Sequence, residues 1–227
     1  MKQFNLIYKK LMLLCLGISS LTITAQTQKV LIVSLEDTTI VHCHLGLTAF
    51  SNFTDTLKTG IPLSKIIEEK LSAYLGTSFE THIISAPDEI RKHAFGFWGQ
   101  SKEYKNWIKE QQIGYDYLII INNIDISNEM SNSAMLKNSS GFYSRGSAHG
   151  VFTTINFDAY RILNNQRLEY YNLGSKIFVN LKEFKMPEDK RTFDEQMLET
   201  IKKELIMQIN NRIKYFLTKT YILPNLK

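Results

Sequence analysis

The chain has 227 residues, with 27 Lys and Arg against 22 Asp and Glu, a net charge of +5. Three of the cations (Lys2, Lys9 and Lys10) lie in the first 25 residues, which hold no acid, so the remainder stands at only +2 and gives no electrostatic case for nucleic acid. A hydrophobic content of 44% with 11 Gly and 4 Pro excludes a disordered or collagen-like chain. Roughly 200 residues suffice for one sizeable core, so a single domain over residues 26–227 is expected.

The N-terminus has the layout of a secretory signal. Lys2, Lys9 and Lys10 form a positive region, Leu11 to Ile23 is apolar, and Ile23-Thr24-Ala25 offers a small residue at the cut. The apolar run is about 13 residues, short of the ~20 that span a bilayer as a helix. Cys15 sits inside that run behind Leu13 and Leu14, where a lipoprotein needs small residues, which argues against lipidation. Cleavage near Ala25 would give a periplasmic or secreted protein without a transmembrane segment. It would retain one thiol, Cys43, and therefore no internal disulfide.

In chain order, Lys29 to Leu35 reads as a strand buried on both faces. Residues 37–60 read as polar and irregular. Leu63, Ile66, Ile67, Leu71, Tyr74 and Leu75 then recur at helical spacing after Pro62, and Gly76 is placed to end that helix. Phe79 to Ser85 predicts a second strand, Pro87 a short helix, and Ser101 to Gln112 a further helix stopped by Gly114. Tyr115 to Ile124 is the strongest strand. Strands alternating with helices imply crossovers and parallel pairing.

The second half differs. Residues 126–150 are rich in Ser, Asn and Gly and read as a long loop. Val151 to Phe157 alternates as a strand, Asn164-Asn165 suits a hairpin turn, Arg167 to Tyr171 returns, and Ile177 to Leu181 adds another strand. Thr192 and Glu195 have the spacing of a capping box. Leu198, Ile201, Leu205, Ile209, Ile213 and Phe216 follow as the stripe of a helix of about 25 residues, roughly 37 Å long. The expected class is α/β tending to α+β: two or three layers around a mixed sheet, parallel in its first half, antiparallel in its second, with the C-terminal helix across it.

Several patterns could carry chemistry. In an extended segment His42 and His44 project to one face and Cys43 to the other, so the two imidazoles could ligate zinc or copper with a third from His82, His93 or His149. The alternative is ordinary loop histidines and a small buried thiol, and no cofactor is the default expectation. The segment Gly141 to Gly150 carries Arg145, Ser147 and His149 among three internal and flanking glycines, and could cradle an anion on backbone donors. It lacks the Lys-Ser/Thr ending of a phosphate loop, and a simple chain reversal is the plainer reading. Ser144 or Ser147 with His149 and Asp37 or Asp125 would make a hydrolase trio, but no Gly-x-Ser-x-Gly elbow is present beyond the leader. Glu36 and Asp37, with Asn122, Asn123 and Asp125, could share the rim at the carboxyl ends of parallel strands. Phe95, Phe97, Trp98, Tyr104 and Trp107 could form a binding surface or a cap on the core.

The succession strand, helix, strand, helices, strand, hairpin and long helix resembles the α/β domain of Gram-negative envelope accessory lipoproteins, of the curli-secretion and penicillin-binding-protein-activator type. The residues that carry the resemblance are Lys29 to Leu35, Gly114 to Ile121, and the hairpin Val151 to Tyr171 with Asp158 near its turn. An export signal and a well-formed core without a convincing catalytic constellation give the expectation of an exported envelope protein that binds a protein or cell-wall partner without catalysis. The competing expectation is a metal-dependent or hydrolytic periplasmic enzyme using His42 and His44 or the stretch Ser144 to His149.

Overall fold

The computed structural model describes residues 27–35, 39–46, 51–94, 101–123, 139–164, 166–172, 178–182, 184–189, 191–220 and 222. The leader, Glu36, Asp37, the Phe95–Trp98 part of the aromatic cluster, Asp125 and residues 126–138 lie outside these. Strands β1 (Gln28–Ser34), β4 (Phe79–Ser85), β5 (Tyr117–Asn123), β8 (Ile155–Leu163) and β9 (Gln166–Asn172) form a first sheet in the order β4-β1-β5-β8-β9. Strands β2 (Thr39–Leu45), β3 (Phe53–Thr56), β6 (Ser139–Arg145), β7 (Ala148–Thr153) and β10 (Phe178–Asn180) form a second, ordered β10-β7-β6-β2-β3. Four helices accompany them among the described residues: α1 (Leu63–Leu75), α2 (Asp88–Ala94), α3 (Lys102–Gln111) and α4 (Glu195–Lys219).

The first sheet is the mixed layer that the sequence predicts. β1 runs parallel to β4 and β5, and β8 and β9 add antiparallel strands. Because β1 and β5 are central, both faces are covered. Val30, Ile32, Ile119 and Ile121 pack under α1 and α4, while Leu31, Val33, Leu118 and Ile120 pack against Tyr104 and Ile108 of α3. That double burial is why these strands read as continuous apolar runs. In α1 the fully covered positions are Leu63, Ile67, Leu71 and Leu75. Gly76 ends it at φ 53° and ψ −137°, a conformation that costs a side chain too much to adopt.

The second sheet occupies regions that the sequence reads as irregular. Residues 37–60 contain β2 and β3, and the expected loop 126–150 contains β6 and the start of β7. Its small polar residues misled because here they serve the sheet. Gly141 sits opposite Val41 at φ 151°, and a Cβ on it would lie 1.9 Å from the Val41 carbonyl oxygen. Ser140 Oγ donates to Thr153 Oγ1 across the β6–β7 pair at 2.7 Å.

The expected single strand Val151 to Phe157 is two strands. The chain leaves the second sheet after Thr153 and enters the first at Ile155, so Thr154 is the crossing point. Here the backbone carbonyls of Thr153 and Ile155 both accept from Nη1 of Arg212, each at 2.7 Å, and Arg212 is only 6% exposed. Thr154 N–H donates to the Ser139 carbonyl at 3.2 Å, and its hydroxyl lies 2.7 Å from Asn123 Oδ1 and 2.8 Å from that carbonyl. A break in the ladder would otherwise bury unpaired backbone groups, at about 1–3 kcal/mol each. Asp158, placed near the hairpin turn by pattern, is instead mid-strand opposite Asn172, and accepts from Asn122 Nδ2 at 2.5 Å.

Helix α4 reaches along both sheets. Ile201 contacts Phe142 and Val151 of the second, whereas Leu205, Ile209, Ile213 and Phe216 belong to the core of the first. Its cap differs from expectation. Thr192 Oγ1 donates to Asp189 Oδ2 at 2.6 Å, and the N-cap is Asp194, which accepts from Met197 N–H at 2.8 Å. Thr192 was a good cap by type, but a nearer carboxylate takes its hydroxyl. Among the described residues no helix is long and apolar enough to cross a membrane.

Two substitutions test this account. Arg212→Leu leaves two buried carbonyls without a donor and is expected to cost about 2–4 kcal/mol in urea unfolding. Gly141→Ala forces apart the parallel β2–β6 pair, with an expected cost of about 2–3 kcal/mol. Neutral behaviour of either variant would refute the corresponding contact.

Candidate functional site: a histidine–serine cluster beside an open groove

Alternation along β2 turns His42 and His44 to one face and Cys43 to the other, as expected. Strand pairing then decides what they meet. His44 stands opposite Ser144 of β6, and Ser144 stands opposite His149 of β7. Ser144 Oγ lies 3.0 Å from His42 Nε2 and 2.8 Å from His44 Nδ1. A hydroxyl has one proton, so it donates to one imidazole and accepts from the other. Two neutral rings satisfy both bonds.

The cluster is closed. His42 and Ser144 are each 1% exposed and His44 4%. His42 packs edge-on against Phe53 and Phe193, with centroids 5.1 and 4.9 Å away, and lies 5.4 Å from Phe142. At the rim Arg191 covers the ring of Phe53 at 4.5 Å and reaches Asp55 Oδ2 at 3.6 Å. Burial, followed by the neighbouring His44, lowers the His42 pKa from 6.5 to about 4, against an opposing pull from Asp55. His42 is thus neutral at ordinary pH. Its Nδ1, and both ring nitrogens of His149, are buried without a hydrogen-bond partner among the described residues.

The remaining predicted site residues are not gathered here. Arg145 and Ser147 are exposed at the tip of the β6–β7 hairpin, where Gly146 takes φ 55°. His149 points inward, with its ring 6.3 Å from Phe142 and 5.7 Å from Phe184. The anion cradle is therefore replaced by a two-residue turn, because β6 and β7 pair in register up to Arg145 and Ala148. Asp37, a candidate for the hydrolase trio and for the strand-end rim, lies outside the described residues. His82 is on the exposed β4 and bonds Glu80 Oε1 at 2.9 Å, well removed from the cluster in the fold. Cys43 is fully buried on the opposite face with Val41, Leu45 and Phe152, and burial raises its pKa.

Among the described residues no group of three or more His, Cys, Asp or Glu could hold a metal ion. Nε2 of His42 and Nδ1 of His44 turn to a hydroxyl instead. As a hydrolase, the cluster lacks an approach: a nucleophile must reach substrate, and Ser144 is covered.

What sequence reasoning missed is the partnership of Ser144 with both histidines, the Asp55–Arg191 rim and the interior role of Arg212. Only the last left a local signal. Arg212 falls on the apolar stripe of α4, three residues after Ile209 and four before Phe216, where a solvated cation does not belong.

Next to the cluster an open groove of about 720 Å³ runs between the segment after β10 and the flank of α4. Leu181, Lys182, Phe184 and Lys185 form one wall, and Asp194, Met197, Thr200 and Glu204 line the other. Phe184 belongs to both features, since it also packs 4.9 Å from Phe142.

Comparison with known proteins adds no function. No family model matches the chain, and no curated protein matches it. Solved structures similar to it include the following two. A hypothetical protein of Chlamydia trachomatis is 10% identical, covering 85% of this chain and 99% of its own, with a TM-score of 0.35. A lipoprotein of Neisseria meningitidis is 9% identical, covering 81% and 99%, with a TM-score of 0.28. At TM-scores below 0.5 neither carries an argument about this chain.

If Ser144 is an interior bridge, Ser144→Ala strands two imidazole nitrogens in a dry compartment. The expected cost is about 2–3 kcal/mol by urea unfolding. An effect below about 0.5 kcal/mol would show that the hydroxyl bridges nothing.

Proposed function

We propose that the protein is a non-catalytic binding or assembly accessory of the cell envelope, exported by its leader, and that it engages its partner through the groove between β10 and α4. The observation that carries this reading is the contrast between two neighbouring features. The residues with chemical potential, His42, His44 and Ser144, are covered and held through the Ser144 hydroxyl, whereas the groove is open and lined by charged side chains. Lys182 and Lys185 stand on one wall and Asp194 and Glu204 on the other. Among the described residues no ion pair holds any of the four. Leu181, Phe184 and Met197 supply apolar surface between them.

A polypeptide segment with both signs of charge and intervening apolar side chains fits that lining. Buried apolar anchors supply most of the affinity of such contacts, and charges at the rim set orientation and encounter rate. A uniformly anionic or cationic partner would meet repulsion from one wall. Among the described lining residues a glycan would find Phe184 alone as an aromatic platform.

A photo-crosslinking residue at Thr200, in the groove, should give a discrete adduct in envelope extract, and one at Asn106 on α3 should not. Lys182→Glu with Lys185→Glu should abolish the adduct. Equal labelling from both positions, or no adduct from Thr200, would remove the groove from consideration. Turnover on a panel of hydrolase substrates that Ser144→Ala eliminates would overturn the non-catalytic reading.

A further inference from the structure

The inner face of the second sheet places three imidazoles in one ring-lined compartment. His42 and His44 come from β2 and His149 from β7, and Phe53, Phe142, Phe184 and Phe193 surround them. Phe184 and Phe193 belong to the segment joining β10 to α4, which also brings Lys182, Lys185 and Asp194 to the groove. The side chains that seal the histidines thus stand directly behind the groove wall.

We propose that this compartment is an acid-sensitive latch: protonation of His42 releases Phe184, Arg191 and Phe193 from the second sheet and so reshapes the groove. The proposal holds whatever the groove binds.

The electrostatics follow from which groups face the rings. From β6 come Ser144 and Phe142, neither of which can neutralise an imidazolium. From β3 comes Asp55, opposite His42, but Arg191 already engages that carboxylate at 3.6 Å. Helix α4 presents Ile201 to Phe142, and its charged side chains Asp194 and Glu204 line the groove. A second proton on the His42–Ser144–His44 bridge would place a cation in a compartment closed to water, 6.2 Å between ring centroids from His44, whose proximity already lowers the His42 pKa. Such a charge is relieved by opening to water.

The sign of the pH dependence is fixed by the depressed basicity of His42. In the closed state it titrates near 4, whereas an exposed imidazole titrates near 6.5. The open state therefore takes up the proton first. Closure is at full strength above pH 6.5 and is lost progressively as pH falls toward 4. At pH 5 His42 alone weakens the closing equilibrium about 30-fold.

Amide hydrogen exchange followed by NMR, corrected for the intrinsic pH dependence, tests this on the full chain. Between pH 7.5 and pH 5 the protection of Phe184, Arg191 and Phe193 should fall about 30-fold, while that of Ile32 in β1 and Ile119 in β5 stays constant. The double variant His42→Phe, His149→Phe should keep its neutral-pH protection at pH 5. Unchanged protection in the wild type, or an equal loss in the double variant, would overturn the latch. Should the double variant fail to fold, the ring resonances of wild-type His42 decide. Charging in step with loss of protection supports the proposal, and loss while His42 remains neutral refutes it.

Discussion

One guanidinium holds the architecture at its weakest point. The chain passes from one sheet to the other at Thr154, where a continuous strand would have satisfied its backbone in a ladder and a broken one does not. Arg212 closes the gap by donating from one nitrogen to the carbonyls on either side of the break. Because it projects from the second half of α4, the same helix that covers both sheets also ties the crossing between them. Asn123, Ser139 and Thr154 complete the joint from β5 and β6. A buried cation is costly on its own, and its retention here is explained by the acceptors that a two-sheet fold creates.

That joint has a consequence for the candidate site. By sending β8 into the first sheet and leaving β7 in the second, it fixes the register that sets His149 beside Ser144 and Ser144 beside His44. On this face one hydroxyl bridges two imidazoles, and aromatic rings close the remaining space. Interior polar networks of this kind specify a unique packing more than they add stability. The groove, by contrast, lies where the flank of α4 faces the segment after β10. The proposed contact surface and the closed cluster therefore share a wall through Phe184, and any movement of that wall affects both.

The parts of the fold legible in the sequence are those set by local periodicity. The stripes of α1 and α4, the doubly buried β1 and β5 and the placement of His42 and His44 on one face needed only nearest neighbours along the chain. The crossing at Thr154 was not legible, because Val151 to Phe157 alternates without a Gly or Pro and the group that accommodates the break, Arg212, lies 59 residues beyond Thr153 and 57 beyond Ile155. Nor was the partner of the histidines, since Ser144 is 100 residues from His44 and only the β2–β6 register brings them together. The strands β6 and β7 were hidden by composition. Small residues that usually mark loops are there because Gly141 must let the Val41 backbone approach and Ser140 must bond Thr153.

The central claim is that His42, His44 and Ser144 form a closed interior bridge and not a reactive centre. Acylation of the folded protein by diethyl pyrocarbonate at pH 7, mapped by mass spectrometry, tests it most directly. His82, half-exposed on β4, provides the internal standard. The account predicts rapid modification of His82 with His42 and His44 left intact until the chain unfolds. Modification of either buried ring at the rate of His82 would contradict it.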